Sequence, residues 1–416
     1  MRKAITFLFI LGLFTSVTAQ VSLDGELRPR AEFRNGYRQL PAEDASPAAQ
    51  INQRTRLSLS YTYEDNIRTR VTLQDARLWG QETQRGYEPS FTLYEAWLSI
   101  ALLDNFSIQA GRQELTYDDQ RLMAANNWSL TGRTHDALVA KYNSERGGEV
   151  HFGAAFNQSA NRLFNTYYNL ENYKTLNYLW YNRDLTPTVE MSLLGIADGY
   201  EHPDDPETFN LRATWSSFFT IDPGRFQVRV NPAYQHGKTP SGGDISAYYL
   251  MVEASTNPAD NLSTTIGMEL FSGIDWLDTG DSFNAFDDLF GVGHGRNGYM
   301  DYFTNFPDHT GFAGLINPYL RNTIQVNAQT SVSADIHLFF LENNFPDPEN
   351  PDIAVDKYLG TEVDLVLNYQ INDFTNILAG YAVMFGSASM AAIKGGSEDE
   401  FAHWGFVMIQ MTPSFL

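Results

Sequence analysis

Seven arginines near the start of the chain fall into three groups: Arg28, Arg30 and Arg34, then Arg54 and Arg56, then Arg68 and Arg70. A spacing of two puts side chains on one face of an extended strand, so each group would present its guanidinium groups together. The planar fork of arginine grips a carboxylate through two parallel hydrogen bonds and stays charged at any working pH. A row of such forks is suited to binding acidic groups and handing them on, not to making or breaking bonds. The chain carries 22 Arg against 6 Lys, and thirteen of the arginines lie between Arg28 and Arg133. A structural reading stands beside this one: the arginines pair internally with Asp24, Glu26, Glu32 and Asp75 and hold a wall together.

The elements that would position these groups are strands. From residue 21 to residue 34 every even position is polar or charged and no odd one is, the period of a strand with one apolar face. The pattern returns at 51–63, 67–73, 208–215, 225–230 and 359–369, and long heptad helices are absent. It is weak at 91–102 and 174–183. Short turns, as at Glu64-Asp65, Leu103-Asp104 and Asn372-Asp373, alternate with longer polar segments at 35–50, 80–90, 114–132, 157–173, 199–206, 237–243, 274–319, 342–357 and 386–400. Short periplasmic turns alternating with long extracellular loops are the signature of an outer-membrane barrel.

The expected fold is therefore all-β, a transmembrane antiparallel barrel of eighteen strands, with sixteen as the fallback. The even count requires splitting 320–341 near Gln329 to Ser331. A propeller would show a repeat of about 40–50 residues, which is not found, and a soluble sandwich would have shorter strands.

In a closed barrel the arginine face must be the lumen, because a charge aimed at lipid costs about 2–4 kcal/mol at the midplane. Glu253, Glu269, Asp335, Glu362 and Asp364 fall on the same face of later strands, which predicts a field from wall to wall. Composition limits the function classes. With 50 Asp+Glu, 28 Lys+Arg and a net charge of −22, nucleic acid is not an expected partner. The absence of cysteine excludes disulfides and thiolate chemistry. At the N-terminus, Arg2 and Lys3 precede an apolar run from Ala4 to Phe14 and small residues at 17–19, the layout of an export signal. The expected domains are that signal at 1–19 and the barrel at 20–416, with 274–319 a loop able to cover the pore.

Between 111 and 142 the sequence reads Gly111-Arg112-Gln113-Glu114-Leu115, then Asp119-Gln120-Arg121-Leu122, Trp128, and Gly132-Arg133-Thr134-His135-Asp136-Ala137-Leu138. This order resembles the alginate export family of outer-membrane porins. Two later stretches agree with it, from Phe286-Asp287-Asp288 to Asp301-Tyr302-Phe303, and Asp335-Ile336-His337 followed by Gly360-Thr361-Glu362-Val363-Asp364. The resemblance implies a monomeric eighteen-stranded barrel conducting an acidic polysaccharide outward, embedded in outer-membrane lipid and compatible with periplasmic export partners. It also implies that Arg112, Arg121, Arg133 and Asp136 sit near the constriction, beside the row from Arg28 to Arg70.

Other signals weigh less. Gly293-His294-Gly295-Arg296-Asn297-Gly298 has dinucleotide spacing but lacks a strand–turn–helix context. The aspartates of 274–319 are a candidate calcium site without EF-hand spacing, and no other cofactor is expected. No G-x-S-x-G or H-E-x-x-H motif points to an enzyme. The expected function is a passive channel for an alginate-like polyuronate. Its rivals are an uptake porin for small organic anions or oligouronates, a barrel enzyme, and a soluble binding β-protein.

Overall fold

The chain is described from a computed structural model over residues 19–64, 66–84, 91–168, 172–278 and 280–416. The export signal therefore lies outside the described residues but for Ala19, as does Asp65 of the first short turn. Period two in the sequence becomes eighteen antiparallel strands. The first nine are β1 (Ala19–Asn35), β2 (Ala48–Tyr63), β3 (Ile67–Leu78), β4 (Phe91–Leu103), β5 (Phe106–Gln113), β6 (His135–Asn143), β7 (Glu149–Phe156), β8 (Thr175–Thr186) and β9 (Val189–Glu201). They are followed by β10 (Phe209–Ile221), β11 (Phe226–Lys238), β12 (Asp244–Ala259), β13 (Leu262–Phe271), β14 (Leu315–Asn327), β15 (Thr330–Phe340), β16 (Tyr358–Asn372), β17 (Thr375–Gly386) and β18 (Ala402–Met411). Each strand pairs with its sequence neighbours, and β1 also pairs with β18, from Leu27↔Met411 to Asn35↔His403. That last ladder closes the sheet and leaves no edge.

The eighteen-strand expectation is borne out. The split of 320–341 falls at the turn 328–329, and the weakly alternating segments 91–102 and 174–183 are β4 and β8. Nine long connections, L1 to L9, leave one end of the barrel: 36–47, 79–90, 114–134, 157–174, 202–208, 239–243, 272–314, 341–357 and 387–401. Short turns, the start of β1 at Ala19 and the C-terminal residues after β18 occupy the other end. No described helix is long and apolar enough to cross a membrane.

The two faces of the wall divide by chemistry. Leu57, Leu59, Val71, Leu73, Val407 and Ile409 are exposed on the outside, whereas Arg28, Arg30, Arg54 and Arg56 are buried within. An apolar exterior over a polar interior inverts the soluble pattern and matches a bilayer solvent. Leu57 lies near the middle of β2, so Leu57→Arg should cost about 2–4 kcal/mol. Urea unfolding of the barrel in lipid vesicles measures that loss.

The interior is not an empty tube. L3 and L7 turn inward and pair with each other through their backbones: Phe290 N donates to Leu122 O (3.1 Å), Ala124 N to Phe290 O (2.9 Å) and Val292 N to Gln120 O (3.1 Å). Their apolar side chains, among them Leu122, Met123, Phe286, Tyr302 and Phe303, join inward residues such as Tyr249, Phe271, Phe339 and Trp404 in one buried cluster. The long loop thus runs over 272–314 and folds down inside the barrel instead of lying across its mouth. This packed filling leaves polar space along the wall formed by β1 to β4.

Candidate functional site

On β1 and β2 the alternation aims Arg28, Arg30, Arg54 and Arg56 at one stretch of L3. Arg28 donates to the carbonyls of Asn127, Trp128 (3.4 Å) and Ser129 (2.8 Å). Arg30 reaches Trp128 O at 3.0 Å, and Arg54 reaches Asn127 O and Ser129 O at 3.1 and 3.3 Å. Arg56 donates to Asn127 Oδ1 and Thr131 O, both at 3.3 Å, while its guanidinium lies 3.5 Å above the Tyr94 ring. The inward row exists, and its first task is to hold main-chain carbonyls.

Carboxylates meet only part of this charge. Glu26 accepts from Arg54 at 2.7 Å and lies 4.0 Å from Arg28, and Glu32 pairs with Arg30 (2.8 Å) and Arg34 (2.7 Å). Four guanidinium groups thus share two carboxylates at ion-pair distance among the described residues, while Arg56 donates to Gln74 Oε1 at 2.8 Å. The internal-pairing reading holds for Glu26 and Glu32. Asp75 instead pairs with Arg77 at 2.7 Å.

The L3 stretch divides the polar space in two. Above it, toward the long loops, a cavity of about 410 Å³ is lined by Arg30, Arg34, Arg38 and Arg133, with Asp301 the one acid among its described lining residues and Trp128 and His309 at its wall. Below it, a cavity of about 530 Å³ is lined by Arg56 and Arg70 against Asp24, Glu26, Glu95 and Glu114. The gradient of charge therefore runs along the barrel axis. Glu253, Glu269, Asp335, Glu362 and Asp364 do face inward and are buried. Those on β13 and β16 meet the inner loops: Glu269 pairs with Arg121 of L3, and Glu362 accepts Met300 N of L7 at 2.7 Å.

The remaining expected site residues separate. Arg70 donates to Glu95 at 3.0 Å in the lower cavity, and Arg68 stands exposed near the short-turn end, beside Asn66 and Ser99. Arg121 is 1 % exposed and grips Glu269 with two guanidinium nitrogens, one at 3.1 Å. Arg133 holds Gly291 O at 2.9 Å. Both therefore tie L3 to L7, and only Arg133 also reaches a cavity. Arg112 and Asp136 require correction. They pair across β5 and β6 at 2.8 and 2.9 Å, half exposed, on the outer face of the wall. Their strand parity is that of the outward Leu138, while His135 and Val139 point inward. They sit at the long-loop ends of their strands, where an ion pair meets water and not hydrocarbon.

Two groups in the outer cavity escape a reading by strand period, because both lie in loops. Arg38 reaches Asp301 at 3.5 Å from L1. His309 lines the cavity from L7, and burial, with Lys394 and Arg38 nearby, lowers its pKa to about 4. His309 therefore adds no positive charge to the cavity near neutral pH.

The L7 aspartates serve other partners. Asp287 pairs with Arg212, and Asp301 accepts from His294 at 2.6 Å and from Tyr37. Among the described residues no three His, Asp or Glu side chains converge to hold a metal. Asp288 is pushed up to about 7, chiefly by burial and also by Asp287, against the pull of Arg121 and Arg133. A carboxyl raised by folding binds its proton more tightly in the folded state, so the packing of L7 weakens as pH rises from about 4 to 7. Asp288→Asn should flatten that slope, read as hydrogen exchange of residues 284–292 against pH.

A model of the alginate export family matches residues 19–156, the part of the chain that contains the arginine row and all of L3. No curated protein matches the chain. Among solved structures it is similar to three from Pseudomonas aeruginosa. OccK9 (OpdG) matches with TM-score 0.67 and 12 % identity over 95 % of this chain and 98 % of that one. OpdL matches with TM-score 0.66 and 12 % identity over 95 % and 99 %. OpdK with vanillate matches with TM-score 0.61 and 11 % identity over 95 % and 99 %. At such identities the likeness is one of fold. A closed ring of eighteen strands, apolar outside and arginine-rich within, together with these matches, makes the chain an outer-membrane β-barrel channel whose residues 19–156 match the alginate export family.

Proposed function

We propose that this barrel passively conducts an acidic polysaccharide or oligosaccharide, an alginate-like polyuronate, along the arginine wall of β1 to β4. The observation that carries the reading is the outer cavity, lined by Arg30, Arg34, Arg38 and Arg133 with Asp301, Glu32 pairing with the first two. A chain bearing one carboxylate per sugar ring meets its counter-charges there without a deep trap, since conduction needs several moderate contacts in place of one strong one. The negative charge of the whole chain does not oppose this, because charges more than about 8 Å away are screened at physiological salt. The barrel works as a monomer in outer-membrane lipid. A second reading, passage of small organic acids, draws on the likeness to OpdK with vanillate and on a cavity of only about 410 Å³.

Planar-bilayer recording separates these readings. Alginate fragments should block or carry the current in proportion to their carboxylates, with a neutral polymer of equal length inert. Block by single-ring acids alone, with oligouronates excluded, would favour the second reading. A cation-preferring current indifferent to both would refute the proposal.

A further inference from the structure

We propose that residues 125–133 of L3 form a latch across the permeation path, released when a solute carboxylate takes the arginine donors that now hold it. The inference rests on the polyuronate reading above and concerns how the same site is regulated. The segment is a small lobe clasped at its base, where Arg133 N donates to Ala125 O at 2.7 Å. At either side of its tip the backbone is left-handed, at Asn126 (φ 48°) and Gly132 (φ 72°). A Cβ on Gly132 would lie 2.6 Å from the Tyr94 hydroxyl and 2.7 Å from Arg56 Nη2. Gly132 thus packs closely on the wall, and the two left-handed residues bracket the tip of the lobe.

The tip separates the outer cavity from the lower one and is held mainly by Arg28, Arg30, Arg54 and Arg56. It contains no charged residue from 126 to 132, so those arginines are matched there by neutral carbonyls. The bonds that hold the lobe have charge on the donor only; a carboxylate entering from above competes for the same donors with a full counter-charge and can take the guanidinium fork through two parallel bonds. Trp128 provides a second, independent observation. Its ring stacks on His294 at 3.8 Å and lies 4.1 Å from the Arg30 guanidinium, yet its indole Nε1 is buried with no hydrogen-bond partner. Trp128 lines the outer cavity, and release of the lobe would bring this buried donor within reach of an acceptor oxygen of the solute. Carboxylate binding and lobe release are thus linked through shared donors: the ligand shifts the equilibrium only because the released state binds it better.

The test uses the full barrel in planar bilayers, with a uronic-acid trimer as probe and a neutral trisaccharide as control. Wild type should show low current in chloride alone and open bursts about tenfold larger with the trimer. Arg28→Gln, and a variant with residues 127–131 replaced by two glycines, should stay open without it, after heat-modifiable migration shows that each has folded. Because the chain lacks cysteine, Leu130→Cys gives a unique thiol on the lobe. Its reaction with a soluble thiol reagent should accelerate about tenfold with the trimer and not with the control. If the trimer permeates while thiol reactivity stays unchanged and the shortened lobe conducts like wild type, the latch is refuted and the polyuronate reading survives. If the trimer neither binds nor permeates even the shortened variant, the polyuronate reading fails and the latch loses its ligand.

Discussion

Arg121→Met is expected to cost the joint between L3 and L7 about 3–5 kcal/mol, the loss seen when one partner of a buried ion pair is removed. Arg121 and Glu269 are each 1 % exposed in their side chains, so among the described residues the carboxylate left behind keeps the Tyr249 hydroxyl, at 2.9 Å, as its hydrogen-bond donor. The same guanidinium also donates to Val292 O at 3.3 Å, beside the backbone pairs that join the two loops. Protease cutting within 114–134 and 272–314 should accelerate, and the bilayer current should grow noisy as the filling loosens. Removing both charges together, with Arg121→Met and Glu269→Leu, should recover most of the loss, because no unpaired charge then remains inside. A single variant as quiet and as protease-resistant as wild type would show that the pair does not hold the loops.

Arg34→Glu with Arg38→Glu is expected to lower the preference for anions over cations at least about tenfold. The outer cavity is now lined by four arginines and Asp301, and Glu32 pairs with two of the four. After the double reversal two arginines and three carboxylates would line it. Each unit charge a few ångströms from the path contributes about 1 kcal/mol or more to an ion's energy in a watery cavity, and about 1.4 kcal/mol is a factor of ten. Reversal potentials in a salt gradient measure the ratio. Arg112→Ala, on the outer face, should leave the ratio unchanged, which sets the lumen apart from a general charge effect. The share of the anion preference that comes from these arginines should also hold from about pH 5 to 8, since arginine does not titrate there, and His309 adds charge only near 4.

Much of the wall was legible in the sequence because a strand with one face in lipid and one in water writes its period directly. Residues 21–34 assigned β1 and the inward direction of Arg28 and Arg30 by parity alone. The same rule applied to Ile108 and Leu138, both outward, would have turned Arg112 and Asp136 outward too. The family resemblance placed them at the constriction, whereas the local parity did not. The inner loops were not legible in this way. Phe290 meets Leu122 and Ala124 across more than 160 residues of chain, and such pairing leaves no period behind. Arg38 and His309 stayed hidden for the same reason. The arginine row was visible as a row, but its bonds to Asn127, Trp128 and Ser129 depend on where L3 folds.

The packing of L3 and L7 against the far side of the barrel also separates girth from throughput. In an unobstructed cylinder, adding a hairpin widens the bore. Here an added hairpin opposite β1 to β4 would enlarge the space that the two loops already occupy, and transit would still be set by the strip beside the first four strands. Such a molecule should tolerate changes in circumference better than a one-residue change in the length of L3.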